Sequence, residues 1–135
     1  MFAFDSDVLI YASQIGNPLG AGVARLFDID PSIQPKIGYG STLLLPETLP
    51  HAIRQGNTEE TAHLQTFFTR IELIALDEKI ANRATALGAK YGLKAADATH
   101  LATAVEIGAD GFVTNNRKDF PKTIKEIAII YPSDL

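Results

Sequence analysis

Short apolar runs alternate with segments of helical periodicity along this chain, and carboxylates stand beside several of the runs. The segments that carry them are MFAFDSD, TLLLPE, LKAADATHLATA and FVTNNRKDF. Strands that alternate with helices favour a parallel sheet covered by helices on both sides. Ligands of such sheets bind in the crevice at the carboxyl ends of the strands. The sequence therefore predicts an α/β fold that gathers four acids at that edge: Asp5, Glu47, Asp97 and Asp119.

The spacing of apolar residues also predicts the order of the elements. Strands are expected at 2–4, 36–40, 72–76, 111–114 and 127–131. Helices are expected at 8–13, 19–27, 58–68, 77–91 and 96–107, with a further helix from residue 41 onward that carries Glu47. Thr58 is the expected cap of its helix. Pro46 and Pro50 predict that the helix with Glu47 is short or bent.

Length and composition indicate one folded domain over residues 1–135. Apolar residues make up 46% of the chain, which is enough to bury a core and argues against disorder. Cysteine is absent, which excludes disulfides and zinc–thiolate sites and makes the reducing cytoplasm the expected compartment. The opening MFAFDSDVLIYA contains two acids and no basic flank, so we expect neither a signal peptide nor a membrane span.

The charge of the chain is small but unevenly distributed. The net charge of −4 argues against a protein that holds nucleic acid through bulk positive charge alone. Residues 79–125 contain eight Lys and Arg against four Asp and Glu, a local charge of +4 that leaves −8 for the remainder. This stretch predicts either a basic face that holds a polyanion or, with equal weight, solvated helix faces.

Four carboxylates at one sheet edge require a counter-charge. Acids that converge without a basic partner repel one another, and hard divalent cations relieve that repulsion through oxygen ligands. Each acid alone has a simpler interpretation, since Asp5, Asp97 and Asp119 are suited to cap helices or turns and Glu47 to face solvent. Their combination predicts a Mg²⁺ or Mn²⁺ site.

The same segments resemble a known family. FDSDVLIYA, STLLLPE, LDEKIANRATALGAKYGLKAADATHLATAVEIGAD and FVTNNRKDF look like the motifs of PIN-domain nucleases, in the family's order and over nearly the whole chain. The closest likeness is to VapC-like toxins of bacterial toxin–antitoxin pairs. The resemblance implies a three-layer α/β/α sandwich with a mainly parallel central sheet, and a Mg²⁺- or Mn²⁺-dependent endoribonuclease. It also implies an RNA substrate, a cognate antitoxin and a homodimer, and no membrane partner.

The resemblance further implies roles for individual residues. The family's acidic catalytic quartet is matched by Asp5, Glu47, Asp97 and Asp119. The three aspartates are the expected metal site, with Asp5 and Asp97 as direct ligands, while Asp119 and Glu47 act through water, complete a second site or orient the nucleophile. Supporting polar positions are matched by Ser6, Thr114 and Asn116. Two basic residues beside the site, Arg117 and Lys118, are expected either to position the RNA backbone or, as exposed charges, simply to be solvated.

Three further residues have two interpretations each. Asp7, where relatives often have Asn, is expected to cap the first helix rather than to add charge to the site. This chain has an amide, Asn116, near a position where many relatives carry an additional Asp, which leaves fewer charges for a second metal. His100 follows Asp97 by three residues and is expected to be buried or to support the site, not to act as a general acid. The other two histidines, His51 and His63, are expected at the surface.

Two other classes of protein fit parts of the pattern. A non-catalytic PIN-like module that binds RNA or a protein partner would fit the prolines around Glu47 and the amide at Asn116. A phospho-accepting receiver domain also gathers acids at a sheet edge, but it needs an acceptor Asp after its third strand. No Asp lies between Asp30 and Asp77, so the receiver is rejected. Cleavage of a labelled RNA in Mn²⁺ distinguishes the nuclease from the module.

Overall fold

The chain folds into a five-stranded sheet between two layers of helices, and the computed structural model describes all of residues 1–135. The strands are β1 (Phe2–Phe4), β2 (Gly38–Ser41), β3 (Ile71–Ile74), β4 (Phe112–Val113) and β5 (Ile129–Ile130). The helices are α1 (Ser6–Ser13), α2 (Ala21–Leu26), α3 (Leu44–Arg54), α4 (Thr58–Arg70), α5 (Glu78–Tyr91) and α6 (Ala95–Glu106), and a 3₁₀ turn follows at Pro132–Asp134. None of the helices is long and apolar enough to cross a membrane.

All strand pairs are parallel, and the strand order is β3-β2-β1-β4-β5. The chain begins in the middle of the sheet, adds β2 and β3 on one side, and then returns to add β4 and β5 on the other. The direction of strand addition therefore reverses beside β1, and a crevice opens between the carboxyl ends of β1 and β4. Asp5 directly follows β1 and Thr114 directly follows β4, so the topology places both residues at this crevice.

Alternate residues of the central strands face opposite helical layers. Ala3 and Phe112 pack in a buried cluster with α5 and α6, whereas Phe4 and Val113 pack in a second cluster with α1 to α4. Both faces of the sheet are covered, which is why β1, β4 and β5 read as continuous apolar runs. By contrast, β2 contains two glycines and a serine, and β3 contains an exposed glutamate. The predicted α/β/α arrangement around a parallel sheet is confirmed.

The helix ends are close to the predicted ones, with a correction at α4. Its cap is Asn57, whose side chain accepts the Glu60 N–H at 3.0 Å, and not Thr58, which is the first helical residue. The stop predicted for α5 is confirmed, since Gly92 adopts the left-handed conformation with φ of 65°.

The prolines around Glu47 do not shorten α3, so the short helix that was one of the two predicted outcomes is not found. The helix runs for 11 residues, an ordinary length, although Pro50 lies inside it. Pro46 is in the first turn, where an N–H has no helical acceptor to lose. Glu47 therefore occupies a regular position in the first turn of α3.

Candidate active site

Asp5 lies at the centre of the site, directly after β1. Its Oδ1 accepts the Ser6 N–H at 2.8 Å and caps α1. Its Oδ2 accepts a 2.7 Å hydrogen bond from the Thr114 hydroxyl, across the crevice between β1 and β4. Both residues are buried, so the fold fixes their positions through neighbours on two adjacent strands.

The surroundings of Asp5 disfavour its charged form. Burial raises the pKa of Asp5, and the negative charge of Glu47 adds to this. His100, the Thr114 hydroxyl and the Ser6 N–H lower the pKa, but they do not outweigh burial. A carboxylate in this position gains from any additional positive charge, because its ionised form is the one that lacks solvent.

Asp97 approaches the same site from the first turn of α6. Burial raises the pKa of Asp97, and three neighbouring acids raise it further: Asp5, Asp119 and Glu47. Charges influence one another in this way over short distances. The structure therefore brings the four predicted acids together from four separate segments of the chain.

Asp7 is a fifth acid of the site, which differs from the sequence-based expectation. The capping role expected of it belongs to Asp5, and Asp7 instead accepts the Asn115 N–H at 3.2 and 3.3 Å. Burial and then the charge of Asp5 raise the pKa of Asp7 to about 6. No local signal could have shown this, because an acid in the first turn favours any helix N-terminus. We call these five residues the acidic pocket: Asp5, Asp7, Glu47, Asp97 and Asp119.

The loop after β4 positions Asp119. The Asn116 side-chain amide donates to Asp119 Oδ2 at 2.9 Å, and the Asp119 N–H donates to Asn116 Oδ1 at 3.1 Å. The Asn116 N–H donates in turn to the Thr114 hydroxyl at 3.1 Å, and Thr114 donates to Asp5. A continuous chain of hydrogen bonds thus connects Asp119 with Asp5 through two of the predicted supporting residues. The third, Ser6, contributes its N–H to Asp5, and its hydroxyl makes no hydrogen bond within the protein.

Glu47 and His100 meet from opposite helical layers. Glu47 Oε1 and His100 Nε2 form a hydrogen bond between α3 and α6. The expected burial of His100 is confirmed, since it is 2% exposed, whereas the Glu47 side chain is 33% exposed. His51 lies at the surface as expected, and His63 is half-buried, with its Nδ1 3.1 Å from the Ser13 carbonyl oxygen.

The two basic residues predicted to contact RNA lie in different environments. Arg117 donates to the Ser133 hydroxyl at 3.0 Å, and its guanidinium lies 4.2 Å from the centre of the Tyr131 ring. These contacts hold it against the C-terminal turn. Lys118 is exposed and forms no ion pair, so it remains available to an anionic ligand.

The basic stretch at residues 79–125 does not form a continuous basic face. Half of its cations are paired in what we call the surface ion pairs: Lys79 and Arg83 with Glu106, Lys90 with Glu126, and Lys122 with Asp134. The charge count overestimated this face because Glu126 and Asp134 lie outside the stretch. The structure is closer to the alternative of solvated helix faces.

The acidic pocket is a donor set for a hard cation, but it is not a closed metal cage. Its donors are carboxylate oxygens, which Mg²⁺ and Mn²⁺ prefer. No three or more His, Asp or Glu residues are arranged so that they could hold a metal ion by themselves. Mg²⁺ usually binds through one or two carboxylates and keeps several waters. The residues therefore fit a partly hydrated ion, and not one enclosed by protein ligands.

Comparisons with known proteins agree with this fold. The sequence matches the model of the PIN domain over residues 3–126. No curated protein gave a significant sequence match. Among solved structures, the chain is similar to one from a toxin–antitoxin complex of Klebsiella pneumoniae, with a TM-score of 0.73 and 26% identity over 98% of both chains. It is also similar in fold to a chain of VapBC2 from Rickettsia felis bound to a promoter DNA fragment, with a TM-score of 0.69 and 18% identity over 96% of this chain and 97% of that one.

Proposed function

Because the chain belongs to the PIN domain family, we propose that it is a metal-dependent endoribonuclease, the toxin of a toxin–antitoxin pair. The convergence of Asp5, Asp97 and Asp119 at the sheet edge supports this function. Hydrogen bonds through Thr114 and Asn116 connect Asp5 with Asp119. Burial raises the pKa of Asp97, and the charges of Asp5 and Asp119 raise it further. Carboxylates that repel one another destabilise the folded protein unless a bound cation offsets the repulsion. The similarity to a chain of a toxin–antitoxin complex over 98% of its length supports the biological role.

Three aspartates would hold Mg²⁺ or Mn²⁺: Asp5 and Asp97 directly, and Asp119 through water. Such an ion, when bound, lowers the pKa of a coordinated water and stabilises negative charge on the phosphate. Thr114 orients Asp5 and Asn116 orients Asp119 through the hydrogen bonds described above. Each carboxylate still has free lone pairs, because an ionised carboxylate accepts about four hydrogen bonds or ligand bonds.

The RNA backbone would lie along the rim of the acidic pocket. Lys118 is the side chain available to bind a phosphate there, and the free hydroxyl of Ser6 would donate to a phosphate oxygen. Arg117 would contribute charge from its place over Tyr131. A homodimer would extend the RNA-binding surface, and a cognate antitoxin would act by covering the acids, both in the cytoplasm.

A non-catalytic module that binds RNA or a protein partner is the second candidate function. The absence of a closed three-ligand metal group favours it, as does the Asn116 amide, which already binds Asp119. The two functions differ in what the acids do. A module would bind its partner equally well without them, whereas a nuclease would lose its chemistry.

Incubation of the purified protein with labelled RNA and Mn²⁺ separates the two candidates. We expect the wild type to cleave and a chelator to stop it. Asp97→Asn should lower the rate by more than about 100-fold, beyond the loss typical of residues outside the ligand shell. Asp28→Asn, at an exposed acid outside the pocket, is the matched control and should cleave normally. Equal RNA binding by wild type and Asp97→Asn, with no cleavage by either, would support the module instead.

A further inference from the structure

The contact between Glu47 and His100 is the only side-chain hydrogen bond that joins a helix of one layer to a helix of the other. Helix α3 packs into the cluster with α1, α2 and α4, whereas α6 packs with α5 on the other face of the sheet. The contact between Glu47 Oε1 and His100 Nε2 spans from one layer to the other. Both residues act on Asp5, since Glu47 raises its pKa and His100 lowers it. The pair therefore lies beside the central acid of the pocket.

The contact fixes the tautomer of His100. An ionised carboxylate only accepts hydrogen bonds, so Nε2 of His100 must donate. The other ring nitrogen, Nδ1, is buried and has no hydrogen-bond partner. In the neutral ring, a proton on Nε2 leaves only a lone pair unpaired at Nδ1. The alternatives would leave an N–H without an acceptor in the interior, which is the rarer defect.

The contact also distinguishes the two oxygens of Glu47. Oε1 is bound by His100, while Oε2 makes no hydrogen bond within the protein, and the side chain is 33% exposed. A glutamate without such a partner would sample many rotamers at a helix surface. His100 removes this freedom and leaves Oε2 as the oxygen that can accept a hydrogen bond from a water molecule at the acidic pocket.

We propose that His100 is a positioning residue, which holds Glu47 by Oε1 so that Oε2 orients the water that attacks the RNA phosphate. The inference rests on the proposed ribonuclease function. At 2% exposure His100 cannot itself reach an RNA strand, so it acts through Glu47. Glu47 contributes by accepting a hydrogen bond from the water, which restricts the direction in which the water's lone pair points.

Cleavage kinetics in Mn²⁺ test this role with four variants. His100→Leu fills the ring volume without a donor, and His100→Gln places an amide donor near the position of Nε2. We expect His100→Leu to lower kcat by about 10–100-fold, as is typical of residues that orient active-site groups, with KM little changed. His100→Gln should recover most of kcat. Adding His100→Leu to Glu47→Gln should cause no further loss, because the partner is already altered.

The matched control is His51→Leu, at an exposed histidine on the same helix as Glu47, which should keep the wild-type kcat. Thermal melting of each variant checks the fold, and His100→Leu is expected to remain folded because Glu47 can be solvated once its partner is gone. Three results would overturn the proposal: wild-type kcat in His100→Leu, additive losses in the double variant, or equal losses in the Leu and Gln variants.

Nitrogen-15 NMR of the imidazoles tests the contact without any cleavage. The metal-free protein should show the His100 proton on Nε2, and Glu47→Gln should change the chemical shift of that nitrogen. A proton on Nδ1 with none on Nε2 would contradict the proposal. Wild type that does not cut RNA in Mn²⁺ would refute the ribonuclease function, and with it the role of Oε2. Wild type that cuts RNA alongside an unimpaired His100→Leu would refute only the positioning role.

Discussion

The carboxylates of the acidic pocket and those of the surface ion pairs lie in opposite environments. Burial raises the pKa of three acids of the pocket, and the charges of neighbouring acids raise it further. These three acids are Asp5, Asp7 and Asp97. Side-chain hydrogen bonds from Arg83, Tyr91 and Lys122 lower the pKa of three surface acids: Glu106, Glu126 and Asp134. The same chemical group is therefore made less acidic at one place and more acidic at another by its burial and its partners.

The comparison shows that the acidic pocket lacks positive charge, whereas the surface ion pairs do not. Each acid of the surface ion pairs has a cation as well as solvent, and such pairs contribute little to stability. The acidic pocket holds five carboxylates, and the pKa of Asp5 and Asp97 is lowered by the positive charge that His100 carries when it is protonated. A cluster of carboxylates that are buried together destabilises the folded state at neutral pH, because their charged forms lack solvent and repel one another. Its missing partner is positive charge that the chain does not supply.

The largest effect we expect is therefore stabilisation of the protein by Mn²⁺. A cation at 100 times its dissociation constant adds about 2.7 kcal/mol to the free energy of unfolding. Thermal melting with and without Mn²⁺ measures this shift, and Asp5→Asn should greatly reduce it. Glu106→Gln, which alters only a surface ion pair, should leave the shift intact. If Mn²⁺ does not change the melting temperature of the wild type, the acidic pocket does not bind a stabilising cation and does not differ from the surface ion pairs in this respect.

A second expected effect is a loss of stability when the Asp5 carboxylate loses a hydrogen-bond donor. Thr114→Val deletes the buried hydrogen bond to Asp5 Oδ2, and hydrogen bonds to charged groups contribute about 1.5–3 kcal/mol. Thr103→Val is the matched control, because Thr103 is equally buried but donates to the backbone carbonyl of Thr99. Its loss should be about 0.5–1.5 kcal/mol. Urea unfolding at neutral pH compares the two, and an equal cost would show that the charge of Asp5 is unimportant.

A third substitution should increase the free energy of unfolding, whereas Thr114→Val should decrease it. Asp7→Asn removes a repelling charge and should stabilise the metal-free protein at pH 7 by about 1–2 kcal/mol, after allowance for solvent screening. The folded state holds a proton on Asp7 up to a pKa of about 6, above the ordinary value of 3.8. Stability from this group is therefore present at low pH and is lost as the pH rises through 6.

The advantage of Asp7→Asn should accordingly be greatest above pH 6 and shrink as the pH falls toward 4. Urea unfolding in a chelator at several pH values measures the difference between the variant and the wild type. A difference independent of pH would mean that the Asp7 carboxylate ionises normally in the folded protein.

The smallest effect should come from the surface ion pairs. Glu106→Gln removes the partner of Lys79 and Arg83, and solvent screens such pairs. We expect the melting temperature to change at the limit of detection, and any change to diminish in high salt. A large destabilisation would show that these pairs hold α5 against α6.

β1, β4 and β5 could be predicted because burial on both faces makes each of them a continuous apolar run. β1 was predicted with its observed ends, since Asp5 follows it immediately. β5 was predicted too long because the residues beside it are buried by loops and not by strand pairing. Tyr131, for example, packs in the core and donates its hydroxyl to the Phe120 carbonyl at 2.8 Å.

The site could be predicted only where local sequence determines position. Asp5 and Thr114 follow strands of a parallel sheet, so the topology alone brings them together. The pairing of Glu47 with His100 could not be predicted, because the residues are 53 apart and their distance depends on how two helices pack on opposite faces of the sheet. The environment of Asp7 could not be predicted either, because it depends on a hydrogen bond from the backbone of the distant loop at Asn115.

The hydrogen bond from Thr114 to Asp5 joins residues that are 109 positions apart. A ribosome releases the amino-terminal residues first, so Asp5 leaves it long before Thr114 and Asp119 are even translated. The crevice cannot be assembled on a growing polypeptide. A cell that makes this protein therefore meets the finished pocket only after Thr114 and Asp119 have been synthesised, and a chain that terminates before them would carry its first acids without the rest of the site.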